Sequence, residues 1–547
     1  MWTTALESSL FALFASSCVQ AISLNVRVRT SYNPDSILQA RNDHQIPVHN
    51  TRNSEYIANI TLGGREIPVL LDTGSSDLWV TGDVPGTQDL GKSVSVSYAV
   101  GRASGDINSA DLGFAGYQIS SQAYLLVKDT SSFSLDIKAQ GFEGLIGLGP
   151  NTGSVILKKL DNDSGNSVLN RIFSQNTTTS NYLSLLLDRK SRANQTFTGQ
   201  LTISETLPGY ENILTMPKLA VDKVHKLTNE DQHWQTITDV FGVIGPDGQP
   251  IKIKSIVPSA PKNTLAVVFD SGYTLPQVPR AMSDAIYGRV QGAEYNENLG
   301  SWIVPCAQLI NLSFMFGGNE YPIHPLDVSS SDFNVVDSKG NPACLGTFQP
   351  ITSAFSLLGE YDIILGMGFM RNVYTLFDYG DWVNESSNDR EDPYIQLLPV
   401  TDKASARNDF IQVRLGGVDT TNATSQALLP ANQGLKSPFS KGEKKKMYEE
   451  KVLSRWPEIF VGCLIFLILL VALITWRCCV RRKRRRAAQA AKLGLATNVT
   501  GRPNAYSVVD MNSSSTQLNM HEMGAPKPQT WDQPYLYQNN GYKSHGA

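Results

Sequence analysis

The run Val69-Leu70-Leu71-Asp72-Thr73-Gly74-Ser75-Ser76 has a second copy far downstream, Val267-Val268-Phe269-Asp270-Ser271-Gly272-Tyr273-Thr274. Each copy is a short apolar stretch with the side chains of a buried strand, and each ends in Asp-[Ser/Thr]-Gly. Each is followed later by an apolar run closed by glycine: Gly144-Leu145-Ile146-Gly147 after the first, Ile363-Ile364-Leu365-Gly366 after the second. A strand that delivers an aspartate into a tight glycine-containing turn holds a carboxylate rigidly where water is scarce. Two such turns brought together would set Asp72 and Asp270 side by side. Like charges that close cannot both ionise easily, so the pair shares a proton. One member can then act as general base on a water while the other, protonated, polarises a carbonyl. A single Asp-Thr-Gly is a common turn. The doubled motif with its doubled apolar runs weighs against two unrelated turn aspartates.

Working outward, short β-rich runs broken by Gly, Asn and Asp extend from Tyr56 to about Pro399, which predicts a largely β body. Strict alternation through Ser93-Val94-Ser95-Val96-Ser97-Tyr98, then Gly101 and Gly105, predicts a hairpin able to cover a cleft and exclude water. Tyr98 as an ordinary strand aromatic is the plain alternative. At 547 residues the chain exceeds one compact core. A hydrophobic fraction of 41%, a charged fraction of 18% and a net charge of -3 are ordinary and point to no nucleic-acid partner. Gly86 to Ser93 spells the nucleotide-binding P-loop letter for letter. A P-loop must lead into a helix, whereas Lys92 opens the alternating strand, so that reading is set aside. His-Glu-x-x-His and Gly-x-Ser-x-Gly are both missing from the sequence, which leaves zinc and serine hydrolase readings without a foothold. No cofactor and no metal is expected.

The uncharged run Ile459–Trp476 is long enough to span a bilayer as a helix, and Arg477, Arg481, Arg482, Lys483, Arg484, Arg485 and Arg486 follow it. A core helix would rarely be apolar all round and then enter such a basic run. Near the start, Leu10–Ala15 and Val19-Gln20-Ala21 have the form of a signal peptide, irregular in carrying Glu7 and no basic residue. Together these predict a single-pass type I protein with its body outside the cytosol, at the plasma membrane or cell surface, or in an endosomal or vacuolar membrane. Of six cysteines, Cys18 leaves with the signal and Cys463, Cys478 and Cys479 lie in or beside the helix. Cys306 and Cys344 remain in the body, as a disulfide or as a free buried pair. Cys478 and Cys479 are candidates for palmitoylation. On the side expected to be lumenal, sequons expected to be glycosylated begin at Asn59, Asn162, Asn176, Asn194, Asn311, Asn384 and Asn422.

The motifs resemble those of the pepsin family of aspartic proteases over roughly residues 54–395. LDTGSSDLWV (71–80) matches the first active-site segment with Trp79 in the family's tryptophan position. VSYAVGRASG (96–105) matches the flap, with Tyr98 as its tyrosine and Gly101 near its tip. GLIGLG and ILGMGFMRNVYTLFD match two structural segments. The resemblance implies a mostly β, bilobal acid-protease fold with the active site between two β lobes, here with one C-terminal transmembrane helix. It implies Asp72 and Asp270 as catalytic, supported by Thr73, Gly74, Ser75, Ser271, Gly272, Tyr273 and Thr274. It also implies a disulfide between Cys306 and Cys344, and internal cleavage of protein or peptide substrates by a monomer. The family carries a hydroxyl residue three places after the second aspartate. Here that place holds Tyr273, which drops the hydrogen bond or passes it to Thr274. The flap tip reads Ala99-Val100-Gly101, stiffer than the family's usual glycine-rich tip.

The expected organisation is a signal peptide (1–21), a short propeptide or N-terminal extension (22–53), N-terminal and C-terminal lobes (54–205 and 206–398), a polar Lys-rich stalk (399–457), the membrane helix (458–477) and a disordered cytosolic tail (478–547). Within that tail, Tyr506-Ser507-Val508-Val509 has the form of a sorting signal for trafficking adaptors. The alternative in a different class is a catalytically silent pepsin-like surface receptor or binding module.

Overall fold

The structure, a computed structural model, describes residues 23–28, 55–98, 101–130, 133, 137–175, 180–189, 198–222, 232–351, 361–383, 391–439, 444–445 and 456–496. The signal peptide, the flap tip Ala99-Val100, the sequons at Asn176, Asn194 and Asn384, and the tail with Tyr506 lie outside the described residues. The chain divides into two units, one reaching Glu443 and the other beginning at Lys444.

The fold of the first unit is mostly β and bilobal. The doubled motif is a doubled structure. Strand Arg65–Asp72 runs parallel to Gly144–Gly147, with Asp72 opposite Gly147, and Leu78–Thr81 pairs antiparallel on the far side. In the second half Ala266–Phe269 runs parallel to Ile363–Leu365, with Phe269 opposite Leu365, and Gln277 pairs antiparallel to Ile364. Parallel strands are buried on both faces, which is why these segments read as continuous apolar runs and not as alternation. Val69, Leu71, Ile146, Val267, Phe269, Ile363 and Leu365 are buried in one apolar core that runs through both halves.

Half-exposed strands alternate instead. Tyr56–Leu62 buries Tyr56, Ala58, Ile60 and Leu62 on one face and exposes Asn59 and Thr61 on the other, where Ile57 alone is buried, in a second apolar cluster. Gln88–Tyr98 pairs with Gly101–Phe114, Tyr98 facing Gly101, as the alternation predicts for a hairpin. Lys92 lies in that strand. Its ammonium donates to the carbonyls of Lys159 (3.0 Å) and Leu160 (3.3 Å), at the negative end of helix Val155–Leu160.

The lobes are not separable at residue 205. Val373–Asp378, late in the chain, pairs with Tyr182–Leu186, Phe377 facing Leu183, so one sheet of 13 strands draws on both halves. Ser23–Val28, within the segment read as an extension, is also a strand of this sheet, between Thr198–Ile203 and Tyr56–Leu62. Cys306 and Cys344 form a disulfide with Cα atoms 5.0 Å apart. The sequons at Asn59, Asn162, Asn311 and Asn422 are exposed.

Residues 399–439 depart from the stalk reading. Lys403–Arg414 is a helix capped by Asp402, whose side chain accepts from Ser405 N–H (2.8 Å), and it buries Ala406, Phe410 and Ile411. Full burial of side chains such as Phe410 and Ile411 stabilises by about 1.5–3 kcal/mol each. Beyond it the chain stays on the body. The N–H groups of Leu429 and Leu435 donate to the carbonyls of Arg289 and Gly288, both at 2.8 Å. The guanidinium of Arg280 donates to Ser437 Oγ (2.9 Å) and lies 4.8 Å from the centre of the Phe439 ring. The apolar positions are too few to show a periodic face, and hydrogen bonds to carbonyls leave no pattern in composition.

The second unit holds helix Trp456–Ala496. Its Ile459–Ala491 portion is long and apolar enough to cross a membrane, with a mean hydropathy of 3.0 in its most apolar window.

Candidate active site

Each half ends a buried strand at an aspartate, and the two turns that follow interlock. Thr73 N–H donates to Ser271 Oγ (3.0 Å) and Ser271 N–H donates to Thr73 Oγ1 (2.9 Å). Each hydroxyl then donates across the pseudo-twofold, Thr73 to the carbonyl of Phe269 (3.1 Å) and Ser271 to that of Leu71 (2.9 Å). Both side chains are fully buried. The network therefore satisfies every polar group it contains, which is the condition for a buried polar cluster to hold a single geometry.

Gly74 and Gly272 follow, and both must lack a side chain. A Cβ on Gly74 would fall inside contact distance of the Asp270 carboxyl, and one on Gly272 would lie 2.5 Å from Asp72 Oδ1. Each glycine thus lets the opposite carboxyl approach, so the two acids meet. They are 5% and 8% exposed and close enough that each acts on the other's ionisation.

The environments of the two acids differ. Asp72 accepts from Gly74 N–H (2.9 Å) and Ser75 Oγ (2.5 Å). The Asp270 carboxyl accepts from Gly272 N–H (2.7 Å), while Tyr273 N–H donates to the Asp270 backbone carbonyl (3.3 Å). Where the first turn offers the Ser75 hydroxyl, the second offers a phenol whose oxygen, at the far end of the ring, cannot fold back on its own turn. Burial raises Asp72 above the usual carboxylate range, with the Ser75 and Gly74 hydrogen bonds opposing it. Burial and then the charge of Asp72 push Asp270 well above that range. The extra donor on Asp72, the Ser75 hydroxyl, favours its carboxylate, so a proton shared by the pair is favoured on Asp270. Tyr273 is held protonated by burial, with Tyr361 adding. Thr274 continues the same turn, partly buried. His233, edge-on to Tyr361 at 6.2 Å, adds a lowering influence on Asp72.

Tyr98 comes in from the hairpin, its ring 6.3 Å from that of buried Trp79, and Phe133 stacks on Trp79 at 5.5 Å. Burial, then Asp72 and Asp77, keep the Tyr98 phenol protonated, and its hydroxyl lies beside Ser75. Gly101 stands opposite Tyr98 on the second strand of the hairpin. Among the described residues no group of three His, Cys, Asp or Glu is placed to hold a metal ion.

Two supporting acids were missed from the sequence. Asp77 accepts from Ser154 Oγ (2.5 Å) and the N–H groups of Val155 (2.8 Å) and Ile156 (3.2 Å), tying the first turn to a helix start. Asp362 accepts from Ser255 Oγ (2.7 Å) and the N–H groups of Ile256 and Ala266 (both 2.8 Å), at the head of the Asp270 strand. A lone acid entering an apolar run, as Asp362 does before Ile363, was the available signal.

Fold and site together define a bilobal pepsin-like protein with two facing aspartates. The eukaryotic aspartyl protease family model matches residues 83–383, more than half of the chain, from just beyond the first motif. A probable aspartic-type endopeptidase of Trichophyton verrucosum is 22% identical over 344 residues, which is 59% of each chain. Major aspartyl peptidase 1 of Cryptococcus neoformans var. grubii is 23% identical, covering 60% of this chain and 67% of its own. The crystal structure of an aspartic proteinase from Irpex lacteus superposes with a TM-score of 0.50 at 17% identity, over 71% of this chain and all of that one. The chain belongs to the eukaryotic aspartyl protease family.

Proposed function

We propose that the chain is an aspartic endopeptidase with Asp72 and Asp270 as its catalytic pair. The observation that carries this is their mutual approach over Gly74 and Gly272, with the proton on Asp270. In this reading a water between the carboxyls loses a proton to Asp72 as its oxygen attacks the scissile carbonyl carbon, while Asp270 donates its proton to the carbonyl oxygen. The tetrahedral diol then collapses. The C–N bond breaks, Asp72 returns its proton to the leaving nitrogen, and one diol hydroxyl gives its proton back to Asp270. Both acids end as they began. Tyr98 and Gly101, on the hairpin, cover the substrate and exclude solvent.

The helix that follows the body anchors it as a single-pass protein, its basic end in the cytosol by the positive-inside rule. The substrates are then proteins or peptides outside the cytosol, at the cell surface or in an endosomal or vacuolar lumen, and the tail is free to meet trafficking adaptors.

The second reading, a catalytically silent receptor, is favoured by Tyr273 at the place of the expected hydroxyl. The detergent-solubilised chain, incubated with a mixed peptide library from acidic to neutral pH, decides. Cleavage blocked by pepstatin and absent in Asp72→Asn supports the peptidase, and a folded chain that cuts nothing supports the receptor.

A further inference from the structure

The helix that begins at Trp456 does not end where its apolar run ends. It continues without a break to Ala496 and carries Arg481, Arg482, Lys483, Arg484, Arg485 and Arg486 on consecutive positions, all exposed. No acidic residue lies on it beyond Trp476, so nothing on the helix offsets those charges.

The geometry of a helix decides what such a run can bind. At 3.6 residues per turn, six consecutive residues cover the whole circumference. A protein or duplex surface approaching from one side would meet about half of them. A layer surrounding the helix meets all of them. Depth gives the same answer. At about 1.5 Å per residue, the six start roughly 8 Å beyond Trp476 and end roughly 15 Å beyond it. Side chains on a helix tilt toward its N-terminus and long cationic stems reach several ångströms, which returns the charges toward the membrane boundary. The headgroup layer occupies about 5–8 Å on each side of the hydrocarbon.

We propose that residues 481–486 form a collar that gathers anionic phospholipid headgroups around the helix. The ligand chemistry is a lipid phosphate, with or without further anionic groups, bound by charge-assisted hydrogen bonds from guanidinium forks. The inference rests on the membrane-spanning reading above and adds a lipid preference to it. Besides holding the helix at a fixed depth, the collar concentrates anionic lipid around it.

The test reconstitutes the full chain into phosphatidylcholine bilayers containing phosphatidylserine, or phosphatidylinositol bisphosphate at equal total charge. Polymer-excised discs are then analysed for lipid content. The wild type is expected to hold anionic lipid enriched about two-fold or more over the bulk bilayer, with the enrichment lost at high salt. A variant with all six residues changed to Gln should hold the bulk ratio, and one with the five arginines changed to Lys should keep most of the enrichment. Enrichment with both lipids supports a general anionic collar, and enrichment with the bisphosphate alone assigns the site to a polyphosphorylated headgroup. Equal ratios for wild type and the Gln variant in both bilayers overturn the collar. An alkaline carbonate wash separates the two readings. A chain stripped from vesicles contradicts the span itself, whereas a chain retained without enrichment contradicts the collar alone.

Discussion

Thr73 and Ser271 hold each other by reciprocal bonds, each backbone N–H donating to the other's hydroxyl, at 3.0 and 2.9 Å. Because each residue directly follows an aspartate, this link sets the distance between the carboxyls from outside the chemistry. Ser271→Ala would leave the Thr73 N–H and the Leu71 carbonyl buried without partners, at a cost of about 1–3 kcal/mol in stability. It should also lower kcat by roughly ten-fold or more with little change in KM, since the reacting groups lose register while the binding surface stays. Thermal melting with steady-state kinetics checks both. A change in KM alone would mean that the link serves binding instead.

The unequal hydrogen bonding of the two acids predicts the pH profile. Asp72 must be ionised, so activity rises as pH climbs through its raised pKa. Asp270 must be protonated, so activity falls as pH climbs through a pKa raised further still. Tyr273→Thr supplies a hydroxyl that favours the Asp270 carboxylate, and it should move the alkaline limb down by about one pH unit while leaving the acid limb nearly in place. An unmoved alkaline limb in kcat/KM would show that Tyr273 does not set the acidity of Asp270.

Away from the cleft, Asp327 is buried between Arg371, whose Nε donates to it at 2.9 Å, and Arg189, with Asn372 Nδ2 donating at 3.0 Å. Arg189 follows a first-lobe strand while Asp327 and Arg371 belong to the second, so the cluster fastens one lobe to the other. Burial alone would raise Asp327, but the two guanidinium groups hold it at about 2. Its folded value is depressed, so its contribution is complete above the free value of 3.8 and is lost as pH falls through about 2. The fastening therefore persists down to a pH of about 2. Asp327→Asn leaves buried Arg371 and partly buried Arg189 without their carboxylate and should lower stability by about 3–5 kcal/mol, measured by denaturant unfolding.

His324 nearby gives a slope of the same sign at higher pH. Burial, with Arg189 adding, pushes it down to about 3, and its Nδ1 accepts from Leu326 N–H (3.1 Å), as a neutral ring does. The unfolded chain takes up that proton near 6.5 and the folded chain does not, so stability should rise with pH between about 3 and 6.5. In His324→Asn that slope should flatten, and an unchanged slope would assign it to other groups.

The segment 399–439 makes a prediction about where the body ends. A chain stopped after residue 398 loses the helix that buries Phe410 and Ile411 and the partners of Arg280, and should melt several degrees lower or aggregate. A chain stopped after Phe439 should melt like the full body. Equal melting of the two truncations would return this segment to the role of a stalk.

Much of this was legible in the sequence because it was written twice. Buried parallel strands appear as apolar runs, and the doubled Asp-[Ser/Thr]-Gly located both acids. The hairpin showed in its alternation, and the long apolar helix in its lack of charge. What was not legible depended on partners distant in sequence. The exchange between Thr73 and Ser271 spans 198 residues, and the Arg189–Asp327 pair spans 138. Lys403–Arg414 carries its apolar contacts on only a few positions. Ser23–Val28 owes its place to strands at both of its edges, and its own composition says little.

The most direct test of the central claim compares Asp72→Asn, Asp270→Asn and the double variant with wild type, all as full chains of matched thermal stability, on one cleaved peptide. The account predicts that each single variant falls by several orders of magnitude to the same floor as the double, because the two carboxyls act as one unit. Substantial activity remaining in either single variant, or losses that multiply in the double, would contradict it.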